Sequence, residues 1–208
     1  MSMIKNSRNF LRSIQKFLSS QECNQIIKLI CAYENKILAL EDNSKPNPFY
    51  GTTKQHGKYN WLSIIDNELS HIRIIKRLQT LIAEQTNYKT VWIKSWCNKL
   101  DAHQNIPYHS HSREDEPEWF FSANIFLSEN TEDWHTYYET YGHIYNEQGT
   151  INLLSAYLPH AATNNTNTTR YSMAMDIYTH NPIKEDYYLN NLQEYKNLTK
   201  IYITKNSS

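Results

Sequence analysis

No run of about 18 consecutive apolar residues occurs in the chain, so no membrane-spanning helix is expected. Neither sign of charge is in excess. Lys and Arg together number 21, as do Asp and Glu, and the formal net charge is zero. A neutral chain gives no electrostatic reason to expect nucleic acid or an anionic membrane as a partner. Cysteine is sparse: Cys23, Cys31 and Cys97 contain no CxxC pair, and their odd number argues against a disulfide framework. A reducing, cytoplasmic compartment is the expectation. Residues 1–12 are polar and hold no apolar stretch, so no signal peptide is expected. No internal repeat is visible. Hydrophobic residues are somewhat few at 39 %, while aromatics reach 13 % and 16 residues are tyrosine, so rings should carry much of the burial. The sequons at Asn164, Asn167, Asn197 and Asn206 are of the number chance gives in a chain rich in Asn and Thr.

A length of 208 residues fits a single domain over 1–208. A helix is predicted near 20–33. Ser19 is a good N-cap, Glu22 completes a capping box, and Cys23, Ile26, Ile27, Ile30 and Cys31 fall on one apolar face. Both cysteines are therefore expected in the core. Residues 42–60 read as a loop, punctuated by Asn43, Pro46, Pro48, Gly51 and Gly57. A second helix is predicted near 66–86, capped by Asp66, with Leu69, Ile72, Ile75, Leu78 and Ile82 as its stripe. From Tyr88 the pattern changes to aromatic-rich β segments near 90–98, 106–111, 119–128, 149–158 and 169–178. The tail after Pro182 reads as a partly helical cover. The expected class is α+β: helical support over 1–87, a strand-built sandwich or barrel over 88–180 with the helices outside it, and a cover over 181–208.

Nine histidines is a high count. His56, His71, His135, His143 and His180 fall in polar loops or on a helix face and read as surface residues. Two places differ. In PYHSHS, residues 107–112, an extended backbone puts His109 and His111 on one side, about 7 Å apart along the strand. Two imidazoles so placed can grip one metal ion, although a surface loop is equally consistent with the segment alone. In LPHAATNNTNTTRYS, residues 158–172, His160 ends a segment that begins at Gly149, and Arg170 and Ser172 share a strand face. A guanidinium fork pairs with a carboxylate, and a hydroxyl beside it adds a donor. That carboxylate belongs either to a ligand or to a structural acid.

Taken together, the two places resemble the 2-oxoglutarate/Fe(II)-dependent dioxygenase superfamily. Its pattern is His-x-Asp/Glu on one strand of a jelly roll, a distal His some 40–60 residues on, and an Arg about ten residues later, often as Arg-x-Ser. Here 51 residues separate His109 from His160, ten separate His160 from Arg170, and Arg170-Tyr171-Ser172 supplies the last motif. GTINLLSAYLPH and KFLSSQECNQII are also similar in type to family segments. The resemblance implies a double-stranded β-helix (jelly-roll, cupin-like) core in a prolyl-hydroxylase-like oxygenase. It implies iron(II) on His109, His160 and a third ligand, with 2-oxoglutarate held at its far carboxylate by Arg170 and Ser172, and hydroxylation as the usual outcome.

One departure matters. The position that holds the family's carboxylate ligand is His111. Either His111 binds, or an acid of the following loop (Glu114 or Asp115) does, or two histidines suffice with water. Parity favours His111, while Asp101 and Glu118 are more remote. Asn98, Asn124 and Tyr108 lie on or near the expected inner strands and are candidates to orient the histidines or contact the cosubstrate. The substrate, a small molecule or a peptide, is not legible. The loop at 112–119 would rim the mouth, and the 129–148 segment with Trp134, Tyr137, Tyr138, Tyr141 and Tyr145 reads as a lid, an aromatic wall or ordinary packing. The competing readings are a three-His cupin dioxygenase that uses no 2-oxoglutarate, which leaves Arg170 without a task, and a non-enzymatic jelly-roll binding module.

Overall fold

The computed structural model describes residues 9–39, 60–66, 68–111, 120–129, 134–179, 181 and 198–203. The elements run β1 (Leu11–Ile14), α1 (Ser20–Ala39), α2 (Trp61–Ile64), α3 (Leu69–Gln85), β2 (Thr90–Leu100), β3 (Asn105–His109), β4 (Phe120–Phe126), β5 (His135–Tyr138), β6 (Gly142–Tyr145), β7 (Ile151–Ser155), β8 (His160–Thr163), β9 (Arg170–Tyr178) and β10 (Thr199–Tyr202). Two antiparallel sheets result. The larger has six strands in the order β1-β7-β4-β9-β2-β10, and the smaller has four in the order β3-β8-β5-β6.

The larger sheet is two-faced because its central strands alternate by residue. One face carries Ile93, Cys97, Ala123, Ile125, Ile151, Leu153, Met173, Met175 and Ile177, all buried in one cluster with helix side chains such as Ile26, Ile30, Trp61, Leu78 and Ile82. The other face carries Lys94, Trp96 and Asn98 on β2. These are paired in register with Asp176, Ala174 and Ser172 on β9. Ser122 and Asn124 on β4 stand on the far side of Asp176 and Ala174. One face of the same sheet is thus an oily seat for helices, and the other is polar yet largely buried. A buried polar face requires hydrogen-bonding partners or a ligand.

The capping box at α1 forms as the sequence predicts. Glu22 accepts from the Ser19 backbone N–H (2.8 Å) and hydroxyl, and the Glu22 amide donates to the Ser19 hydroxyl (3.3 Å). The strap before α1 is pinned by the Leu18 amide, which donates to the Gly149 carbonyl at 2.9 Å. Gly149 has φ +78, and a Cβ there would collide with the Leu18 carbonyl oxygen, so both the conformation and the close approach require glycine.

Several expectations are corrected. Cys31 is exposed, although Cys23 is buried. At about 100° of rotation per residue, Cys31 sits roughly 100° from the centre of the face set by Cys23, Ile26 and Ile30. In α3 the buried stripe is Ile74, Leu78, Leu81 and Ile82, while Leu69 and Ile72 are exposed. Asp66 does not cap this helix. Glu68 holds the N-cap position without a side-chain bond, and the Asp66 carbonyl is bonded to His71 Nδ1. The cover after Pro182 contributes strand β10, paired antiparallel with β2, and the partly helical remainder expected of that tail lies outside the described residues. The 42–60 loop and the loop at 112–119 lie outside them as well, apart from Asn60. In the 129–148 segment, β5 and β6 form a hairpin at the edge of the smaller sheet.

Candidate metal centre

Strands β3 and β8 pair antiparallel, with Ile106 opposite Ala162 and His109 opposite His160, and the register slips between Ile106 and His109. Pro107 falls in that gap. It has no N–H to give the ladder, so the extra residue of a bulge is tolerated there. The slip sets the two histidines directly across from one another, with ring centroids 4.5 Å apart. His160 therefore opens β8 rather than ending the strand from Gly149: β7 stops at Ser155, and Pro159 separates it from the new strand in the other sheet.

His111 arrives by a different path from the one parity suggests. Strand β3 ends at His109, and the His111 amide donates to the Ala156 carbonyl at 2.9 Å. Its ring nonetheless lies 5.1 Å from that of His109 and 5.2 Å from that of His160, and it stacks on Trp96 at 5.7 Å. The potential ligand atoms of His109, His111 and His160 all lie within 4.8 Å of one another.

Each ring is oriented through Nδ1. His109 Nδ1 donates to the Pro107 carbonyl (2.8 Å) and His160 Nδ1 to the Leu158 carbonyl (3.0 Å), in both cases two residues upstream. His111 Nδ1 donates to Asp176 Oδ1 at 2.8 Å. All three acceptors lack a proton to give, so each Nδ1 carries the hydrogen and each Nε2 is left as the metal-capable nitrogen. Burial, then the neighbouring His111 and His109, pulls His160 down to about 3, and burial with His111 lowers His109. These two rings are held neutral, the form that binds a metal.

Arg170 opens β9 and is almost wholly buried. Its guanidinium donates to the Thr163 carbonyl (2.7 Å), the His135 carbonyl (3.4 Å) and Thr136 Oγ1 (3.2 Å). The Asn146 carboxamide, with its oxygen turned toward Nη2, accepts as well. Among the described residues no carboxylate pairs with it. Burial draws it down to about 10, which leaves it cationic at neutral pH. A buried cation surrounded only by carbonyls and hydroxyls is costly unless an anion joins it. Ser172 shares its strand face and accepts from Asn98 Nδ2 at 3.2 Å, while Asn98 Oδ1 is buried without a partner among the described residues.

The remaining sequence candidates fall as follows. Asn124 is half-buried on the polar face, between Ala174 and Asn152 in register. Tyr108 is exposed. Its hydroxyl donates to Glu139 at 2.5 Å and its ring meets Tyr137, on the face of the smaller sheet opposite Tyr138 and His160. Among the bonds found, neither of them, nor Asn98, orients a histidine; two backbone carbonyls and Asp176 do. Glu114, Asp115 and Glu118 lie outside the described residues, and Asp101 accepts from Thr169 at 3.0 Å. Asp176 was not singled out from sequence. Its signal was an acid in the otherwise apolar MAMDIY, on the strand parity of Arg170 and Ser172.

No family model and no curated protein sequence matches the chain. Solved structures do. The viral collagen prolyl hydroxylase of Paramecium Bursaria Chlorella virus-1, in complex with 2OG, superposes with a TM-score of 0.56 at 16 % identity, covering 81 % of this chain and 95 % of that one. A Pseudomonas putida prolyl-4-hydroxylase gives 0.55 at 11 % over 82 % and 88 %, and AviO1 from Streptomyces viridochromogenes Tue57 gives 0.59 at 12 % over 82 % and 90 %. The fold is that of the 2-oxoglutarate/iron(II) oxygenases. Within this fold, the two sheets bring β3 and β8 over the polar face of β9, and the histidine group sits between them. Among the described residues no helix is long and apolar enough to cross a membrane.

Proposed function

We propose that this protein is a 2-oxoglutarate- and iron(II)-dependent oxygenase. The observation that carries the reading is the pairing of three converging histidines with a buried arginine, without a carboxylate partner among the described residues, that donates to the Thr163 carbonyl three residues along β8 from His160, about 10 Å of strand. His109, His111 and His160 would hold iron(II) through Nε2. Arg170 would hold the far carboxylate of 2-oxoglutarate, with Ser172 as a second donor. When bound, the metal and cosubstrate supply oxidising equivalents from dioxygen, releasing carbon dioxide and succinate, and hydroxylation of a substrate carbon is the proposed outcome.

The chain's own part is positioning. The Nδ1 bonds to Pro107, Leu158 and Asp176 fix each imidazole plane, so the site is organised before a metal arrives. Thr163, His135, Thr136 and Asn146 hold the guanidinium in one orientation without neutralising it. Tyr138, fully buried, has its ring 5.7 Å from that of His160, and its hydroxyl accepts from Asn152 at 3.0 Å, which fixes the ring beside the imidazole. Substrate is proposed to be a small molecule or a peptide, with no nucleic acid, in a reducing, cytoplasmic compartment that suits the three free thiols.

One observation favours a second reading. Three histidines without a carboxylate also suit a cupin-type dioxygenase that uses no 2-oxoglutarate. Uncoupled turnover separates the two: iron-loaded protein in air should release carbon dioxide from 2-oxoglutarate without added substrate. Iron uptake with no 2-oxoglutarate binding would select the second reading.

A further inference from the structure

Resting on the metal-centre reading, we infer that Asp176 is a positioning residue of that centre, which supplies through His111 the negative charge that the oxygenase pattern places directly on the metal. Three imidazoles are neutral donors and leave a divalent ion uncompensated. In this chain the ligand position of the pattern is His111, and a buried carboxylate stands one imidazole further out, 2.8 Å from His111 Nδ1. A carboxylate accepting from the far nitrogen makes an imidazole a stronger donor and fixes its plane.

The carboxylate is itself held on every side. Ser122 donates to Oδ1 at 3.0 Å from β4, and the Tyr178 hydroxyl reaches Oδ2 at 3.5 Å. Lys94 faces it in register across β2. Trp96 stacks on the His111 ring at 5.7 Å, so one residue fixes its face and Asp176 its edge. His111 lies beyond β3 and lacks the upstream carbonyl that serves His109 and His160. Asp176 fills that role from a third strand, and of the three Nδ1 acceptors it alone is anionic. A hydrogen bond of purely structural use would not need the other edge of the ring to face two more imidazoles.

The test uses Co²⁺ as an oxygen-stable probe. Full-length protein and Asp176→Asn are titrated with Co²⁺, and proton spectra of the cobalt forms are recorded. Wild type should show strongly shifted, solvent-exchangeable N–H signals from the three bound rings. Asp176→Asn should bind about 10–100-fold more weakly and lose or move the His111 signal while the His109 and His160 signals hold. A folded Asp176→Asn with affinity within about twofold of wild type and all signals unchanged overturns the assignment. Wild type that takes up no Co²⁺ overturns the metal-centre reading and this assignment with it. If Asp176→Asn does not fold, Ser122→Ala decides. It keeps the carboxylate and removes one of its donors, and should weaken Co²⁺ several-fold and shift only the His111 signal; no change in either overturns the inference.

Discussion

His109 stands directly opposite His160 across the β3–β8 ladder, with ring centroids 4.5 Å apart and each Nδ1 tied to the backbone carbonyl two residues upstream. Since the site is organised without metal, binding should stabilise the fold by mass action alone. Co²⁺ at a hundred times its dissociation constant is expected to add about 2.7 kcal/mol, read as a rise in Tm. In His160→Ala the rise should vanish. A variant that keeps the full rise would show that the ion binds elsewhere.

Arg170 presents opposite demands on stability and binding. Removing an uncompensated buried cation should leave the ligand-free protein as stable or more stable. Arg170→Met is therefore expected to hold or raise the Tm without 2-oxoglutarate, while weakening 2-oxoglutarate by about 2–5 kcal/mol, the usual effect of truncating one member of a buried charge pair. Calorimetric titration of the metal-loaded variant checks the second part. Undiminished affinity would assign Arg170 to a structural task.

Asp176 is buried and His111, largely buried, donates to it, so deleting the histidine strands the carboxylate. His111→Ala should cost about 3–5 kcal/mol of folding stability in the metal-free protein, measured by urea unfolding. A loss below about 1 kcal/mol would mean that the pair is not closed before metal binds.

Glu22 ties α1 to Arg77 at 2.9 Å as well as to Ser19. Burial opposes its ionisation, but Arg77 and the Ser19 donors prevail and take it from 4.5 to about 2. The folded value lies below the unfolded one, so its stabilisation is complete above about pH 4.5 and fades as pH falls toward about 2. Glu22→Gln should lower Tm at pH 7, and the gap to wild type should close between pH 4.5 and 2. A gap independent of pH would assign the loss to packing.

What the sequence disclosed follows a physical division. His109, His160, Arg170 and Ser172 sit on short motifs whose spacing is kept by strand geometry, so the approach of the two histidines and the common strand face of Arg170 and Ser172 were legible. The capping box at Ser19 and Glu22 is local and was legible for the same reason. Long-range pairings were not. His160 begins a strand in the second sheet because Pro159 breaks the run from Gly149, and this crossing depends on which strands accept it. Asp176 reads as an anomaly until β9 is laid beside the end of β3. Cys31, Leu69 and Ile72 are apolar at nearly the right periodicity, yet the core covers a narrower arc than their spacing assumes.

The most direct measurement is anaerobic equilibrium dialysis with iron(II) and 2-oxoglutarate, comparing wild type with His160→Ala and Arg170→Ala. The account predicts one iron per chain and one 2-oxoglutarate per iron in wild type, loss of both in His160→Ala, and loss of 2-oxoglutarate alone in Arg170→Ala. Wild type that takes up no iron, or Arg170→Ala that binds 2-oxoglutarate as wild type does, would contradict it.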